Sequence, residues 1–313
     1  MENQTSDNLI INEMTEEILL IQHIRSDVLS LTYNYFSEEG YMLVDPPLLH
    51  EQVKNKKSEI YLPIYNEKYS LNSSNALFMG AYASLFGSVY SISTCFRDEQ
   101  LSINHLLEFK MLEVEVVNCS FDVLIEIVEK YIIFVLDKLY IKYFQTKVGT
   151  RIAKLMTLFK SIKVSYKEFI SSINQKQEYK VDYGVDLSSI DYIISKYIKN
   201  PIFITDYPFP LATWTAKPKT NKIAYAFNLI LPDSFGELAE GCERNNNTDM
   251  LKYKFKCAGI DNLQWYLDAI SHSDSSRVGF GLGIDRLVRW IIGLDNVKKT
   301  VLFPRIGNGE GVK

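Results

Sequence analysis

Two β-rich runs on either side of a short polar loop constrain this chain more than any other feature. The first run, SVYSISTCFRDE, covers residues 88–99, and the second, HLLEFKMLEVEVV, covers 105–117. This arrangement predicts an antiparallel hairpin. Because side chains alternate between the two faces of a strand, one face of the first run carries small and polar residues and ends at Arg97 and Glu99.

The returning strand carries carboxylates where a structural strand would carry valine or isoleucine. Phe109, Met111, Glu113, Glu115 and Val117 share one face by alternation. Buried carboxylates are costly unless they have partners. Two interpretations therefore stay open: an exposed face with solvated glutamates, or a polar sheet floor that holds an anionic ligand with donor groups, such as a nucleotide.

Beyond the hairpin, helical spacing alternates with mainly antiparallel strand patterns, which predicts an α+β domain. Gly40 lies where a left-handed cap would end the first helix. Residues 145–200 are patterned too weakly to place, and 51–58 is interpreted as a mobile loop. The predicted helices are 18–38, 76–87, 121–144, 247–258 and 261–271, and the predicted strands include 202–208, 223–232 and a final strand in LFPR after the last helix.

Two further segments carry residues typical of phosphate and cation sites. In GFGLGIDRLVRW, glycines bring the backbone close to a ligand, and Arg286 falls in the first turn of a helix, where anions are favoured. A phosphate shared by the helix amides and the guanidinium would explain that placement. In FGELAEGCER, Glu237 and Glu240 offer the oxygens that magnesium prefers. A solvated acidic turn is the alternative for the second segment.

Composition limits the function classes. The chain is 47% apolar, has a net charge of −4 and contains four cysteines without a C-x-x-C pair. A disulfide framework or zinc site is therefore not expected. No apolar run approaches the roughly 20 residues of a membrane span, and the acidic balance gives no support to an extended tRNA-binding surface. We expect a cytoplasmic protein without membrane contact.

Together these segments resemble the signature motifs of class II aminoacyl-tRNA synthetases, and specifically the aspartyl/asparaginyl branch. FRDE with HLLEFKMLEVE resembles motif 2, and GFGLGIDRLVRW followed by LFPR resembles motif 3. The segment 18–47, which ends at Pro47, resembles the dimer-forming motif 1. NLILPDSFGELAEGCER is similar to the archaeal asparagine synthetases related to asparaginyl-tRNA synthetase, with Glu243 in place of the usual glutamine.

The resemblance implies a mainly antiparallel sheet flanked by helices, with ATP and Mg2+ as cofactors. It also implies a homodimer, for which the apolar face of the first helix, Ile18, Ile21, Ile24, Val28 and Leu31, is the expected contact. We expect residues 1–17 to be a polar tail and 18–313 a catalytic domain without an anticodon-binding domain.

Roles are carried over residue by residue. Arg97 matches the arginine that bridges the α-phosphate and the reacting carboxylate, and Arg286 the arginine on the γ-phosphate; these two are the expected catalytic residues. Glu113 matches the acid that holds the substrate ammonium, and Arg244 the arginine that grips the carboxylate that is not activated. The other expected ATP-binding residues are Glu99, His105, Phe109, Glu237 and Gly283, the expected metal ligands are Glu237 and Glu240, and Ser74 aligns loosely with a substrate-facing loop.

Departures from the family pattern surround the substrate. Residues 212–215, Ala-Thr-Trp-Thr, replace a Lys-x-Phe-Tyr pattern, Asn104 replaces an arginine, and Ser276-Arg277 replaces a Pro-His pair. The resemblance itself implies activation of an aspartate-like carboxylate as an acyl-adenylate, followed by amide formation with ammonia or an amine. The alternatives are tRNA charging, a natural-product amide ligase and a non-catalytic sensing paralogue.

Overall fold

The computed structural model describes residues 15–51, 59–64, 67–99, 102–159, 162–176, 180–260 and 263–305. Residues 52–58 of the predicted loop 51–58 and most of the predicted tail therefore lie outside the described residues. The helices are α1 Glu16–Glu38, α2 Ala76–Phe86, α3 Phe121–Tyr143, α4 Lys147–Leu158, α5 Tyr166–Asn174, α6 Asp191–Ile194, α7 Thr248–Cys257, α8 Gln264–Ser271 and α9 Ile284–Ile292. Short 3-10 turns cover Leu187–Ser189, Ser195–Tyr197 and Val297–Thr300.

Within these residues the strands form a large sheet of eight and a small sheet of three. They are β1 Met42–Leu43, β2 Leu49–Glu51, β3 Tyr61–Ile64, β4 Glu67–Leu71, β5 Val89–Phe96, β6 Glu108–Val117, β7 Lys163–Ser165, β8 Ile202–Thr205, β9 Ala226–Leu231, β10 Gly236–Glu243 and β11 Arg277–Gly283. The order in the large sheet is β1-β5-β6-β11-β10-β9-β8-β7, and in the small sheet β2-β4-β3. The β5–β6 hairpin is antiparallel, as predicted, and only the outer pairs β1–β5 and β7–β8 are parallel among the described strands. The α+β prediction is confirmed.

One layer of helices packs against the large sheet and encloses the main core. α1 begins at Thr15, whose side chain accepts the Ile18 amide, and stops where Gly40 takes a φ of +80°. Its apolar stripe packs with α3 and α9 into the main core. α3 has buried side chains along its whole length. Burial of these apolar stripes supplies the main driving force for this layer.

The weakly patterned segment 145–200 forms short elements around a second core. α5 opens with a capping box between Ser165 and Glu168, and Tyr166 and Phe169 pack beneath it against β8 and β9. No single periodicity covers this segment, because α4, β7, α5 and the 3-10 turns follow one another within a few residues. That mixture explains why the pattern was weak.

Two expectations need correction. LFPR, residues 302–305, does not form a strand, because both edges of β11 are already taken by β6 and β10; the 3-10 turn Val297–Thr300 directly precedes it. The apolar face of α1 is not free for a partner, because Ile21, Ile24 and Val28 are buried in the core of the chain itself.

Candidate active site

Two adjoining cavities lie over the centre of the large sheet. The larger encloses about 950 Å³, and the smaller about 60 Å³. Both are lined by Arg97, Glu99, Met111, Glu240 and Gly281. Since these residues belong to both walls, the cavities form one continuous site on the polar face of the β5–β6 hairpin.

Arg97 stands at the junction of the two cavities. Its guanidinium carbon lies 5.4 Å from the centre of the Phe109 ring, and its Nη1 lies 3.8 Å from Glu99 Oε1. Its Nε donates to the Ser73 carbonyl at 3.0 Å. A cation held against a ring and a carboxylate in this way leaves a flat ring and a charged group side by side, as a nucleotide needs.

Arg286 occupies the first turn of α9, as predicted. Its Nη1 donates to the Glu237 carbonyl at 2.9 Å and its Nε to the Asn104 carbonyl at 3.3 Å. Gly283, the N-cap, has no side chain to cap the helix and also lines the smaller cavity. The amides at this helix end and the guanidinium therefore converge on one place, which suits a phosphate.

Glu237 and Glu240 lie three residues apart in β10 and would point to opposite faces of a regular strand. A register shift between Glu237 and Ala239 places an extra residue in β10, and both glutamates line the smaller cavity. Burial and the nearby charge of Glu240 raise the pKa of Glu237 to about 8, although Arg286 opposes that shift. The β-bulge thus supplies the geometry that sequence spacing alone did not.

These two carboxylates fit a magnesium ion by their chemistry. Glu237 is partly buried and Glu240 is exposed, and two like charges that line one cavity are relieved by a divalent cation. Oxygen is the donor that magnesium prefers. No cluster of three or more His, Cys, Asp or Glu side chains suited to a metal occurs in the described part of the chain. Phosphate oxygens and water would therefore complete the shell, which is the usual arrangement for magnesium.

His105 lies beside the same end of the site. Its Nδ1 is 2.7 Å from the Ser102 hydroxyl oxygen, and its Nε2 is 3.7 Å from Glu99 Oε2. Burial and the charge of Arg286 lower the pKa of His105. Glu99 and His105 thus form a pair on the wall of the smaller cavity, opposite the acidic strand β10.

Glu113 is a buried acid in the wall of the larger cavity. Ser74 Oγ donates to it at 2.7 Å and the Asn75 amide at 2.9 Å, and its exposed fraction is 3%. Burial raises the pKa of Glu113, and these hydrogen bonds act in the opposite direction. The structure thus places Ser74 and Glu113 together, and both line the larger cavity.

Arg244 is already paired with a protein carboxylate. Its Nη2 lies 2.9 Å from Glu115 Oε2, its Nε 3.1 Å from Glu115 Oε1, and its Nη1 3.1 Å from the Thr215 hydroxyl oxygen. Arg277 Nη1 lies 3.8 Å from Glu115 on another side. We call Glu115, Arg244 and Arg277 the arginine–glutamate cluster. Among the described residues it has one positive charge in excess.

Gly279 makes room for this cluster. A Cβ at this position would stand 2.0 Å from Glu115 Oε2 and 2.4 Å from Arg244 Nη2. At Gly281, two residues further along β11, a Cβ would meet only the end of the Met111 side chain, at 3.0 Å. Gly279 therefore leaves space for the ion cluster, whereas Gly281 leaves space for the Met111 side chain.

Sequence reasoning missed several residues of the site. Arg277 appeared only as a departure from the family pattern, and Asp191 lay in the unplaced segment 145–200. Asp191 Oδ2 accepts the Glu237 amide at 2.8 Å and thereby ties that segment to the acidic strand. Tyr207 lines the larger cavity, and its buried hydroxyl has no hydrogen-bond partner among the described residues. The aromatic residues at 207–214 were the one sequence feature that could have indicated the wall of this cavity.

A family model described as tRNA synthetases class II (D, K and N) matches residues 2–307. The chain belongs to this family. The expectation of a class II catalytic core in the aspartyl/asparaginyl branch is therefore confirmed. Class II synthetases are AMP-forming ligases that generally use ATP and Mg2+. No described helix of this family member is long and apolar enough to cross a membrane.

Solved structures of synthetases share the fold. Asparaginyl-tRNA synthetase from Pyrococcus horikoshii, complexed with asparaginyl-adenylate, is 23% identical with a TM-score of 0.84, over 94% of this chain and 70% of that one. The asparaginyl-tRNA synthetase of Entamoeba histolytica, also with asparaginyl-adenylate, is 22% identical with a TM-score of 0.84, over 98% and 73%. Aspartyl-tRNA synthetase of Entamoeba histolytica is 19% identical with a TM-score of 0.76, over 97% and 62%.

Proposed function

We propose that the chain activates the carboxylate of an aspartate-like amino acid with ATP, as an acyl-adenylate, and then transfers the acyl group to ammonia or an amine. The observation that carries this proposal is the pair of opposite anchors in the larger cavity. Glu113 is buried and offers a negative charge, and Arg244 offers a guanidinium in the same wall. Because Arg277, outside the lining, also lies near Glu115, the cluster keeps an excess positive charge. An ammonium and a free carboxylate on one substrate would match these anchors.

The smaller cavity supports the nucleotide half of the proposal. Phe109 and Glu99 would hold the adenine, Arg97 the α-phosphate, and Arg286 with His105 and the α9 amides the phosphate tail. Glu237 and Glu240 would hold Mg2+, which supplies charge neutralisation on the phosphates when it is bound. We call this region the nucleotide end, and the region around Glu113 and the arginine–glutamate cluster the amino-acid end.

The proposed first step needs no protein nucleophile. A carboxylate oxygen of the substrate attacks the α-phosphorus, a new O–P bond forms, and the bond to pyrophosphate breaks with its electron pair on the leaving group. Arg97, which borders both cavities, would neutralise charge on the α-phosphate as the bond order changes, and Arg286 would hold the departing pyrophosphate. Positioning and charge stabilisation supply the rate enhancement.

The pairing of Arg244 with Glu115 reduces the preference for aspartate over asparagine that a free guanidinium would give. Because Arg244 keeps its protein partner when no substrate carboxylate is present, a substrate amide does not leave the guanidinium unpaired. The difference between aspartate and asparagine is then that of one charge-assisted hydrogen bond, about 1.5–3 kcal/mol or roughly 10- to 150-fold in activation.

Pyrophosphate exchange across the amino acids tests the proposal. With ATP and Mg2+, we expect aspartate to exchange pyrophosphate faster than asparagine, and aspartate, ammonia and ATP to yield an amide and AMP without tRNA. No exchange with any amino acid would refute the proposal. Exchange with product formed only when tRNA is added would favour the tRNA-charging alternative.

We also propose a homodimer, with a different surface from that expected on α1. A set of apolar side chains near one edge of the large sheet is about half exposed or more: Met42, Leu43, Leu85 and Phe86. β1, which carries the first two, is the edge strand of that sheet. Exposed apolar side chains gathered in this way mark an interaction surface. Sedimentation at twice the 36.1 kDa chain mass is expected, and a persistent monomer at micromolar concentration would contradict the proposal.

A further inference from the structure

The larger cavity extends beyond the amino-acid end into a region lined by rings. His50, Phe78 and Trp265 form a column: the His50 and Phe78 ring centres are 4.9 Å apart, and those of Phe78 and Trp265 are 4.8 Å apart in a stacked arrangement. Trp214 lines the same cavity. We call these four residues the aromatic wall. They come from β2, α2, α8 and the segment before β9, so the wall is assembled only by the fold.

The aromatic wall borders both anchors of the amino-acid end. Phe78 lies one helical turn beyond Asn75, whose amide holds Glu113. Trp214 immediately precedes Thr215, whose hydroxyl contacts Arg244. A molecule lying against the rings would therefore be next to the acyl group of a bound substrate.

Packing between α2 and α8 explains only part of this arrangement. Phe78 and Trp265 do join the two helices, but Trp265 remains 39% exposed and faces the cavity instead of being covered. Exposed rings in a concave site with a few polar anchors are typical of ligand-binding surfaces. Ammonia, which has no apolar surface, gains nothing from such a wall.

The proposed function leaves two carboxylates of the larger cavity unassigned, Glu59 and Asp186. The other acids of its wall are assigned to an arginine, to the nucleotide and metal, or to the substrate ammonium. Carboxylates in a concave site raise the local concentration of positive charge, and an amine is protonated in neutral solution. A protonated amine therefore suits this part of the cavity.

We propose that the acyl acceptor is a primary amine that carries an aromatic ring, bound with its ring on the aromatic wall. This inference rests on the proposed function, because it names the acceptor for the same site. The nucleotide end would be filled by the adenylate, so the acceptor approaches from the larger cavity. The ammonium form loses one proton to water before it reacts.

The transfer step then balances. The nitrogen lone pair forms the C–N bond to the acyl carbon, and the bond between that carbon and the AMP oxygen breaks with its electron pair on AMP. The second nitrogen proton passes to the departing phosphate. The products are the amide and AMP, and no oxidant or reductant is needed.

Competition between two amines of nearly equal basicity tests the inference. With the full chain, aspartate, ATP and Mg2+, we expect the kcat/KM for benzylamine to exceed that for ammonia by about 10- to 100-fold, from burial and stacking of the phenyl ring. Amide products would be measured by mass spectrometry together with AMP release. In Trp265→Ala this ratio is expected to fall about 10-fold, because the ring loses its stacking partner.

Tyr253→Ala is the matched control, because Tyr253 is a ring on α7 with 69% exposure and does not line the cavity. It should keep the ratio of the unmodified protein. A ratio near one in the unmodified protein, an unchanged ratio in Trp265→Ala, or acceptance of tRNA but of no amine would overturn the inference.

Saturation-transfer NMR of benzylamine against methylamine separates failure of the inference from failure of the proposed function. If no amino acid supports pyrophosphate exchange, the proposed function fails, but contact of the phenyl protons with the protein, lost in Trp265→Ala, would still support the ring site. If exchange occurs and the phenyl protons show no contact, only the inference fails.

Discussion

At the nucleotide end, Arg97, Glu99 and Phe109 come from a single hairpin, and Arg286 lies in the first turn of the helix that follows β11. At the amino-acid end, Glu115 lies in β6 and Arg277 in β11, and Arg244 directly follows β10. The arginines at the first end are partly exposed, with 29% and 22% of their side chains accessible, whereas Arg277 is fully buried. The two ends therefore depend on the fold to different degrees. The charged groups of the nucleotide end are accessible to a ligand, whereas Arg277 at the amino-acid end is part of the core.

Glu115→Gln should show the largest effect of this difference. The change leaves Arg244 and Arg277 buried without their carboxylate, and breaking a buried pair typically costs about 3–5 kcal/mol. Urea unfolding should show a loss of that size. Glu108→Gln, at an exposed position of the same strand, should stay within about 0.5 kcal/mol. Equal stability of the two variants would show that the cluster is not structural.

Arg286→Ala should affect the chemistry instead of the fold. Its hydrogen bonds go to backbone carbonyls at the edge of the cavity, and its Nη1 lies 3.7 Å from Glu237 Oε1. Removal of one charge-stabilising group typically costs about 10²–10³ in rate. We expect pyrophosphate exchange to fall by that factor while the urea midpoint changes little. Turnover at the level of the unmodified protein would remove Arg286 from the proposed mechanism.

Two glycine variants two residues apart on β11 give the smallest and sharpest comparison. In Gly279→Ala the new Cβ collides with Glu115 and Arg244, and overpacking of this kind typically costs about 1–3 kcal/mol. In Gly281→Ala it meets a flexible methionine end that can move aside. Thermal unfolding should therefore show a larger loss for the first variant, and equal losses would contradict the assignment of Gly279 to the ion cluster.

The extent to which the sequence predicted each end follows from the same difference. The hairpin pairs residues close in sequence, so alternation alone put Arg97 and the strand carboxylates on one face. The partner of Glu115 could not be predicted that way, because Arg244 is 129 residues away and the strands pair only through β11. The bulge in β10 was equally invisible, since spacing of three in a strand predicts opposite faces. The helix face expected at a dimer contact was wrong because periodicity does not tell an internal core from an interface.

Asp191 links the weakly patterned segment 145–200 to β10, and this link matters for the design of variants. Its carboxylate accepts a hydrogen bond from the amide of Glu237 at the start of the acidic strand, and a Cβ added at Gly236 would have no room beside it. A shortened variant that joins α4 to β8 directly would remove that acceptor and leave the proposed metal-binding strand with an unsatisfied N–H. Chimeras with related synthetases should therefore exchange this segment together with β10, as one inherited unit.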